Sequence, residues 1–319
     1  LPQCAGLASH LQRRIAAGAS IESELEHQLE DASNYPLRHR ELMALRFYLQ
    51  ESLWRCSERW RRLSSGRTLL AELLRRVDAW RHTSDETVAV ATFNYDLLLD
   101  HALAGQVGMA LASTSGYVSD DRYHVVKLHG SVNWARQVSA PDGTTYAGRS
   151  QARDVIIEQA ETLLGAEGDY VVRAQDQPLS EGGRLYVPAI AIPTEVKKSF
   201  DCPNAQLEIM RRDMPNVDRI LVIGWRGAEK HYLEELRQIT GKATPVLVVS
   251  DSERGLDETT DNLTSTGLDG RSIGWSAGGF GAFMETNGLE AFLDSSIQQI
   301  WKAVARDRFA FGERPGSDS

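Results

Sequence analysis

The chain has 319 residues, 42% hydrophobic and 25% charged, which places it in the globular range and excludes a disordered or collagen-like polymer. Its 35 basic and 44 acidic residues leave a net charge of -9, so direct nucleic-acid binding through a broad basic face is not expected. Cys4, Cys56 and Cys202 lie too far apart in sequence for a disulfide framework or paired CxxC knuckles, which excludes a structural zinc module of that kind and fits a reducing cytoplasm.

No apolar run approaches the roughly 18 to 20 residues that cross a bilayer, and no signal pattern opens the chain, so a cytoplasmic protein away from membranes is expected. The sequence opens at Leu1 rather than a methionine, and further residues are expected before it.

The first 85 residues read as helices. QCAGLASHLQRRIAAG repeats its apolar residues at three and four and closes on Gly18, and Ser20 is placed to cap SIESELEHQLEDA. From Leu37 to Trp80, leucines and tryptophans recur among arginines, which predicts two amphipathic helices split near Ser64-Ser65-Gly66, with the tryptophans in the helix core.

The texture then changes. TVAVATF (87–93), YHVVKLHG (123–130), RLYVPAIAIP (184–193), RILVIGW (219–225) and PVLVVSD (245–251) are short, nearly continuous apolar runs, as expected of strands buried on both faces. Helix-like segments at 200–216 and 227–241 separate several of them, so the expected fold class is α/β with a parallel sheet. The polar stretch from Arg136 to Gly183 reads as an insertion with one helix at DVIIEQAETLLGAEG. GLEAFLDSSIQQIWKAVARD reads as an amphipathic helix, and residues 306–319 as a polar tail or linker.

Parallel strands would bring Asn94 and Asp96, His129 and Gly130, Gly224 and Trp225, and Ser250 and Asp251 to their carboxyl ends, where such sheets bind ligands. Each residue also has a structural reading. Asn94 is placed to cap the helix YDLLLDHAL, Asp96 to complement its dipole, His129 to be satisfied by backbone groups, and Ser250-Asp251 to cap another helix. His124, His129, Cys202 and His231 show no metal-binding spacing, so no metal is expected. GWSAGG (274–279) is not read as a hydrolase elbow, because its serine is taken to be placed differently from that of Gly-x-Ser-x-Gly and no strand is expected before it.

In order along the chain, TFNYD (92–96), KLHGSVNW (127–134), IPTEVKKSF (192–200) and VIGWRGAEKHY (222–232) resemble the motifs of the SIR2-like domain family, bacterial relatives of the sirtuins. The resemblance runs from about Thr87 to Ser252 and implies one Rossmann-like NAD-binding domain over 1–305, with helical and polar insertions at about 20–85 and 136–183. By motif position it implies that Asn94 and Asp96 line the nicotinamide and ribose pocket and that His129 is a base near the ribose hydroxyls. Gly130 would leave room for the ligand, Gly224 and Trp225 would match the glycine and serine of a later strand, and Ser250 and Asp251 would contact the adenosine half.

Two departures narrow this expectation. Three scattered cysteines cannot form the four-cysteine zinc module of deacylating sirtuins, and the family's GAGxS phosphate loop is not found. AAGAS (16–20) follows a helix and reads as its terminus, while Leu1-Pro2 resembles the segment after the true loop, placing the first strand and loop before Leu1.

The function so implied is an NAD+ glycohydrolase that takes NAD+ as its substrate, serves bacterial antiphage defence by NAD+ depletion, and acts as a homo-oligomer or with a defence-system partner. The alternatives are a non-catalytic NAD or ADP-ribose sensor and, last, a zinc-free protein deacylase or ADP-ribosyltransferase.

Overall fold

A computed structural model describes residues 2–31, 35–164, 166–192, 200–239, 244–268, 272–275 and 278–294. In chain order come helices α1 (Ala5–Ala16), α2 (Ile21–Asp31), α3 (Pro36–Ser64) and α4 (Leu69–Ser84), strand β1 (Val88–Thr92), helix α5 (Leu98–Gln106), and strands β2 (Tyr123–Lys127) and β3 (Gly130–Ser139). Next are α6 (Arg149–Glu158), α7 (Ala160–Leu164), β4 (Asp169–Val172), β5 (Ser180–Glu181), β6 (Arg184–Ile190) and α8 (Asn204–Asp213). The chain continues through β7 (Ile220–Ile223), α9 (Lys230–Leu236), β8 (Val246–Val249), α10 (Glu253–Thr264), β9 (Ser272–Trp275), α11 (Gly279–Met284) and α12 (Gly288–Asp294). The fold is mixed α/β, with parallel strand pairs and an antiparallel sheet.

The helical segment follows its sequence punctuation. Helix α1 stops at Ala16, Gly18 takes φ +87°, and the Ala19 amide donates back to the Arg14 carbonyl at 3.0 Å, so AAGAS is a helix terminus. Ser65 and Gly66, at φ +50° and +77°, break α3 from α4, and the Thr68 hydroxyl accepts the Ala71 amide at 3.1 Å to cap α4. The tryptophans do not all enter the core. Trp60 is 60% exposed, and Leu63 beside it is 68% exposed.

The chain divides into two compact units, Leu1–Gly66 with Thr87–Met210 and Arg67–Glu86 with Arg211–Ser319. In the first unit, β1 and β2 form a parallel pair, and β4-β3-β6-β5 form an antiparallel sheet. The segment RLYVPAIAIP, expected among the parallel strands, is instead β6 and runs antiparallel to β3. The chain leaving β2 re-enters a strand at Gly130, and that strand pairs with β6 across a long sequence separation. The stretch read as a polar insertion therefore supplies β4 and β5 to the sheet and α6 and α7 to a core. Ile156, Ile157 and Leu163 pack there with Met43, Phe47, Val138, Leu185 and Val187.

In the second unit, β7-β8-β9 is a parallel sheet, and β8 is buried along its whole length. Strand β1 differs from the expectation of two buried faces, because it alternates half-buried and exposed residues. Among the described residues no helix is long and apolar enough to cross a membrane. The expected tail at 306–319 and the helix beyond Asp294 lie outside the described residues, as do positions 193–199 of the IPTEVKKSF motif.

Arg76 ties α4 to α11 and α12 within the second unit. Its guanidinium donates to the Met284 and Thr286 carbonyls, both at 2.9 Å, and pairs with the Glu290 carboxylate. The hydrogen bond from Arg76 holds the Glu290 carboxyl below the usual glutamate range. A depressed folded pKa contributes stability above the unfolded value and loses it as pH falls through the folded one. Glu290 is 45% exposed, so screening limits the contribution to about 1 kcal/mol or less. Glu290→Gln is therefore expected to lower the thermal midpoint slightly at pH 7 and to differ less from the parent near pH 3, checked by calorimetry at both values.

Candidate functional site

The parallel register of β1 and β2 runs from Val88 opposite Tyr123 to Thr92 opposite Lys127. Backbone bonds continue past the strand ends: the Leu128 amide donates to the Thr92 carbonyl at 3.0 Å, and the Val132 amide to the Tyr95 carbonyl at 2.9 Å. The loops carrying FNYD and LHGS are thus zipped together at one sheet edge. Asn94, Asp96, His129 and Gly130 all belong to that pair of loops.

Asn94 does not cap α5. Leu97 occupies the cap position, and the Asp96 carboxylate accepts the Leu98 amide at 2.9 Å to turn the chain into the helix. Asn94 is exposed, its own amide donates to the Thr92 hydroxyl at 3.2 Å, and its carboxamide makes no hydrogen bond among the described residues. An exposed amide with no structural duty on a loop fixed at both ends is suited to a ligand. Asp96 has one oxygen committed to the turn.

His129 is only 4% exposed and is enclosed rather than at an open mouth. Its ring lies 5.0 Å from Phe93 and 6.0 Å from Tyr95, centroid to centroid, and its carbonyl accepts the Ala191 amide at 2.9 Å. The two aromatic residues flanking Asn94 therefore pack on the imidazole. Gly130 does not leave room for a ligand at its Cβ position. At φ +80°, a Cβ would collide with the Ala189 carbonyl, so the glycine serves the close approach of β6. Gly130→Ala is expected to destabilise the fold by roughly 2 kcal/mol or more, through strain and the forced retreat of β6, measured by denaturant unfolding.

Beneath the loops lies a buried polar cluster that the sequence reading did not find. Lys127 is 1% exposed, and its ammonium donates to the Asp96 carbonyl at 2.7 Å, the Asp100 carboxylate at 2.7 Å and the Ser131 hydroxyl at 2.8 Å. Three donors meet three acceptors. The Tyr117 hydroxyl donates to the other Asp100 oxygen, and burial beside that carboxylate pushes the phenol well above its ordinary range. Ser131 passes the chain on to the Tyr95 carbonyl at 3.4 Å. The available signal was a lysine inside the run YHVVKLHG, which a purely apolar strand does not require.

A second charged group stands nearby. The Tyr170 hydroxyl donates to Asp201 at 2.8 Å, Arg46 pairs with Asp201 at 3.6 Å, and the Asp201 amide donates to the Leu128 carbonyl at 3.0 Å. Burial pushes the Arg46 guanidinium below its usual range, and the Asp201 charge opposes that shift.

The remaining expected residues belong to the second unit. Gly224 follows β7 at φ +64°, with its amide donating to the Val249 carbonyl at 3.0 Å. Trp225 is engaged structurally: its indole donates to Glu229 and meets Tyr232 edge-on at 5.3 Å, while its carbonyl accepts Thr259 at 2.9 Å. Ser250 and Asp251 follow β8, but the cap of α10 is Ser252, whose hydroxyl accepts the Gly255 amide at 3.2 Å. Asp251 is exposed. A cleft of about 490 Å³ in this unit, lined by Trp80, Arg76 and Met284 among others, contains none of these residues.

Both grounds for setting GWSAGG aside, the placing of its serine and the want of a strand, are corrected. Strand β9 ends at Trp275, immediately before Ser276 in sequence, and Gly274-Trp275-Ser276-Ala277-Gly278 has the Gly-x-Ser-x-Gly spacing, although Ser276 and Ala277 lie outside the described residues. Among the described residues no group of three or more histidine, cysteine, aspartate or glutamate side chains is arranged to hold a metal ion. Compared with known proteins, the chain matches no family model and no curated protein.

Proposed function

We propose that the chain is an NAD+ glycohydrolase whose reacting centre is the paired loop of the first unit, in a Rossmann-like arrangement of β1, α5 and β2. The observation that carries this reading is the Asn94 carboxamide, exposed and without a hydrogen bond among the described residues, on a loop whose flanking rings pack on His129. Water attacks the anomeric carbon of the nicotinamide ribose as the bond to the nicotinamide nitrogen breaks. Nicotinamide leaves neutral with the bonding pair, and ADP-ribose retains the hydroxyl. The transition state resembles an oxocarbenium ion, so positive charge grows at that carbon.

Asn94 orients the ribose or the water through its amide. Asp96 supplies negative charge beside the developing cation, through a carboxylate already fixed by the Leu98 amide. His129 accepts the proton released from water or a ribose hydroxyl. The role in antiphage defence by NAD+ depletion belongs to the same proposal and rests on the motif resemblance.

The 4% exposure of His129 favours a second reading, a module that binds NAD+ without turning it over, because a covered imidazole does not reach substrate until Phe93 or Tyr95 yields. Incubation of the protein with NAD+, with nicotinamide quantified by chromatography and binding by calorimetry, separates the two. Stoichiometric nicotinamide supports hydrolysis; saturable binding without nicotinamide supports the sensor; neither one removes both.

A further inference from the structure

We propose that Lys127 is a positioning residue of the candidate site, holding the FNYD loop and the LHGS loop in the relative placement that catalysis needs. The inference rests on the glycohydrolase reading for its activity readout alone. The ammonium bonds one group from each loop, the Asp96 carbonyl at 2.7 Å and the Ser131 hydroxyl at 2.8 Å, and anchors both to Asp100 on α5.

The anchor is itself braced. The Lys127 amide donates to the fully buried Gln206 side chain at 2.9 Å, so α8 holds the strand end from which the side chain departs. Tyr117 holds Asp100 from its other oxygen. Lys127 meets no exposed surface and has all three donors satisfied, so it is not placed to touch substrate. Its geometric consequence falls on Asp96, whose carbonyl it bonds, and on His129, which lies between Lys127 and Ser131 in sequence. Small displacements of such groups are costly, since a shift of about 1 Å can lower a rate by about a hundredfold.

Removing one charge from this cluster risks unfolding, so the decisive variant removes the whole cluster. In the triple variant Asp100→Leu/Tyr117→Phe/Lys127→Met, apolar side chains replace the buried charges and hydroxyl, an exchange that buried ion pairs often tolerate without loss of stability. The measurements are cooperative thermal unfolding, kcat and KM for nicotinamide release, and the ring signals of His129 by NMR with nitrogen-labelled histidine, assigned through His129→Ala. The expected result is a cooperatively folded protein with kcat lowered about a hundredfold, KM for NAD+ within roughly threefold of the parent, and displaced His129 ring signals.

A folded triple variant with parental kcat and unmoved His129 signals overturns the inference. If the triple variant does not fold, Ser131→Ala decides, because it deletes one acceptor and leaves the ion pair. A kcat lowered about tenfold at constant KM supports the inference, and an unchanged kcat overturns it. If the parent releases no nicotinamide, the glycohydrolase reading falls by itself. The His129 ring signals of Ser131→Ala then decide alone, displaced in support and unmoved against.

Discussion

His129→Ala is expected to lower kcat for nicotinamide release by about 10²- to 10⁴-fold, the range that a positioned acid or base contributes. The substitution removes the only group in the paired loops read as the proton acceptor. It also empties a site packed by Phe93 and Tyr95, so some loss of stability accompanies it. Asn94→Ala separates these effects. Its side chain is exposed and makes no hydrogen bond among the described residues, so unfolding free energy should stay within about 0.5 kcal/mol of the parent. Its kcat should nevertheless fall by about a hundredfold, as when a preorganised polar group is withdrawn from a transition state. Chromatographic assay of nicotinamide beside denaturant unfolding of each variant checks both statements. Equal turnover in the parent and in both variants contradicts the assignment of the site.

Lys127→Met alone should have the largest effect on stability, a loss of about 3 to 5 kcal/mol. The reason is asymmetry. The substitution leaves the Asp100 carboxylate and the Ser131 hydroxyl buried, with the Tyr117 hydroxyl as the carboxylate's remaining side-chain donor among the described residues. A buried charge without its counter-charge costs more than the intact pair contributes. Guanidinium unfolding gives the measure, and a midpoint within experimental scatter of the parent contradicts the buried geometry. Asp100→Asn should cost less, because an amide can still accept from the Lys127 ammonium.

Much of the helical layer was legible because it is punctuated. Gly18 and Ser65-Gly66 stop helices through left-handed backbone, and those are local effects of single residues. The apolar runs at 87–93, 123–130, 219–225 and 245–251 were legible as strands for a similar reason, continuous apolar character. Strand β3 was missed because Asn133, Arg136 and Gln137 interrupt its pattern, and its pairing with β6 depends on partners distant in sequence. The direction of β6 was misread on the same account: an apolar run gives burial but not orientation.

The candidate site was legible in part. Asn94, Asp96, His129 and Gly130 could be placed at one edge from the motif order, and the structure puts them on two loops joined by backbone bonds. Their duties could not be read. The Asp96 carboxylate, rather than the Asn94 carboxamide, meets the backbone amide that starts α5, and adjacent residue types alone do not decide between the two. Gly130 serves a neighbouring strand, which no local signal indicates. Lys127 escaped notice because a lysine after two valines reads as the solvated end of a strand, whereas its acceptors come from α5, the FNYD loop and the start of β3.

The most direct test is a crystal structure of the His129→Ala protein with NAD+, in which slowed turnover preserves the ligand. The expected result is density for the nicotinamide ribose within hydrogen-bond distance of the Asn94 carboxamide, beside Asp96 and the emptied place of the imidazole. Bound NAD+ located elsewhere, with the Phe93–Asp96 loop untouched, would contradict it.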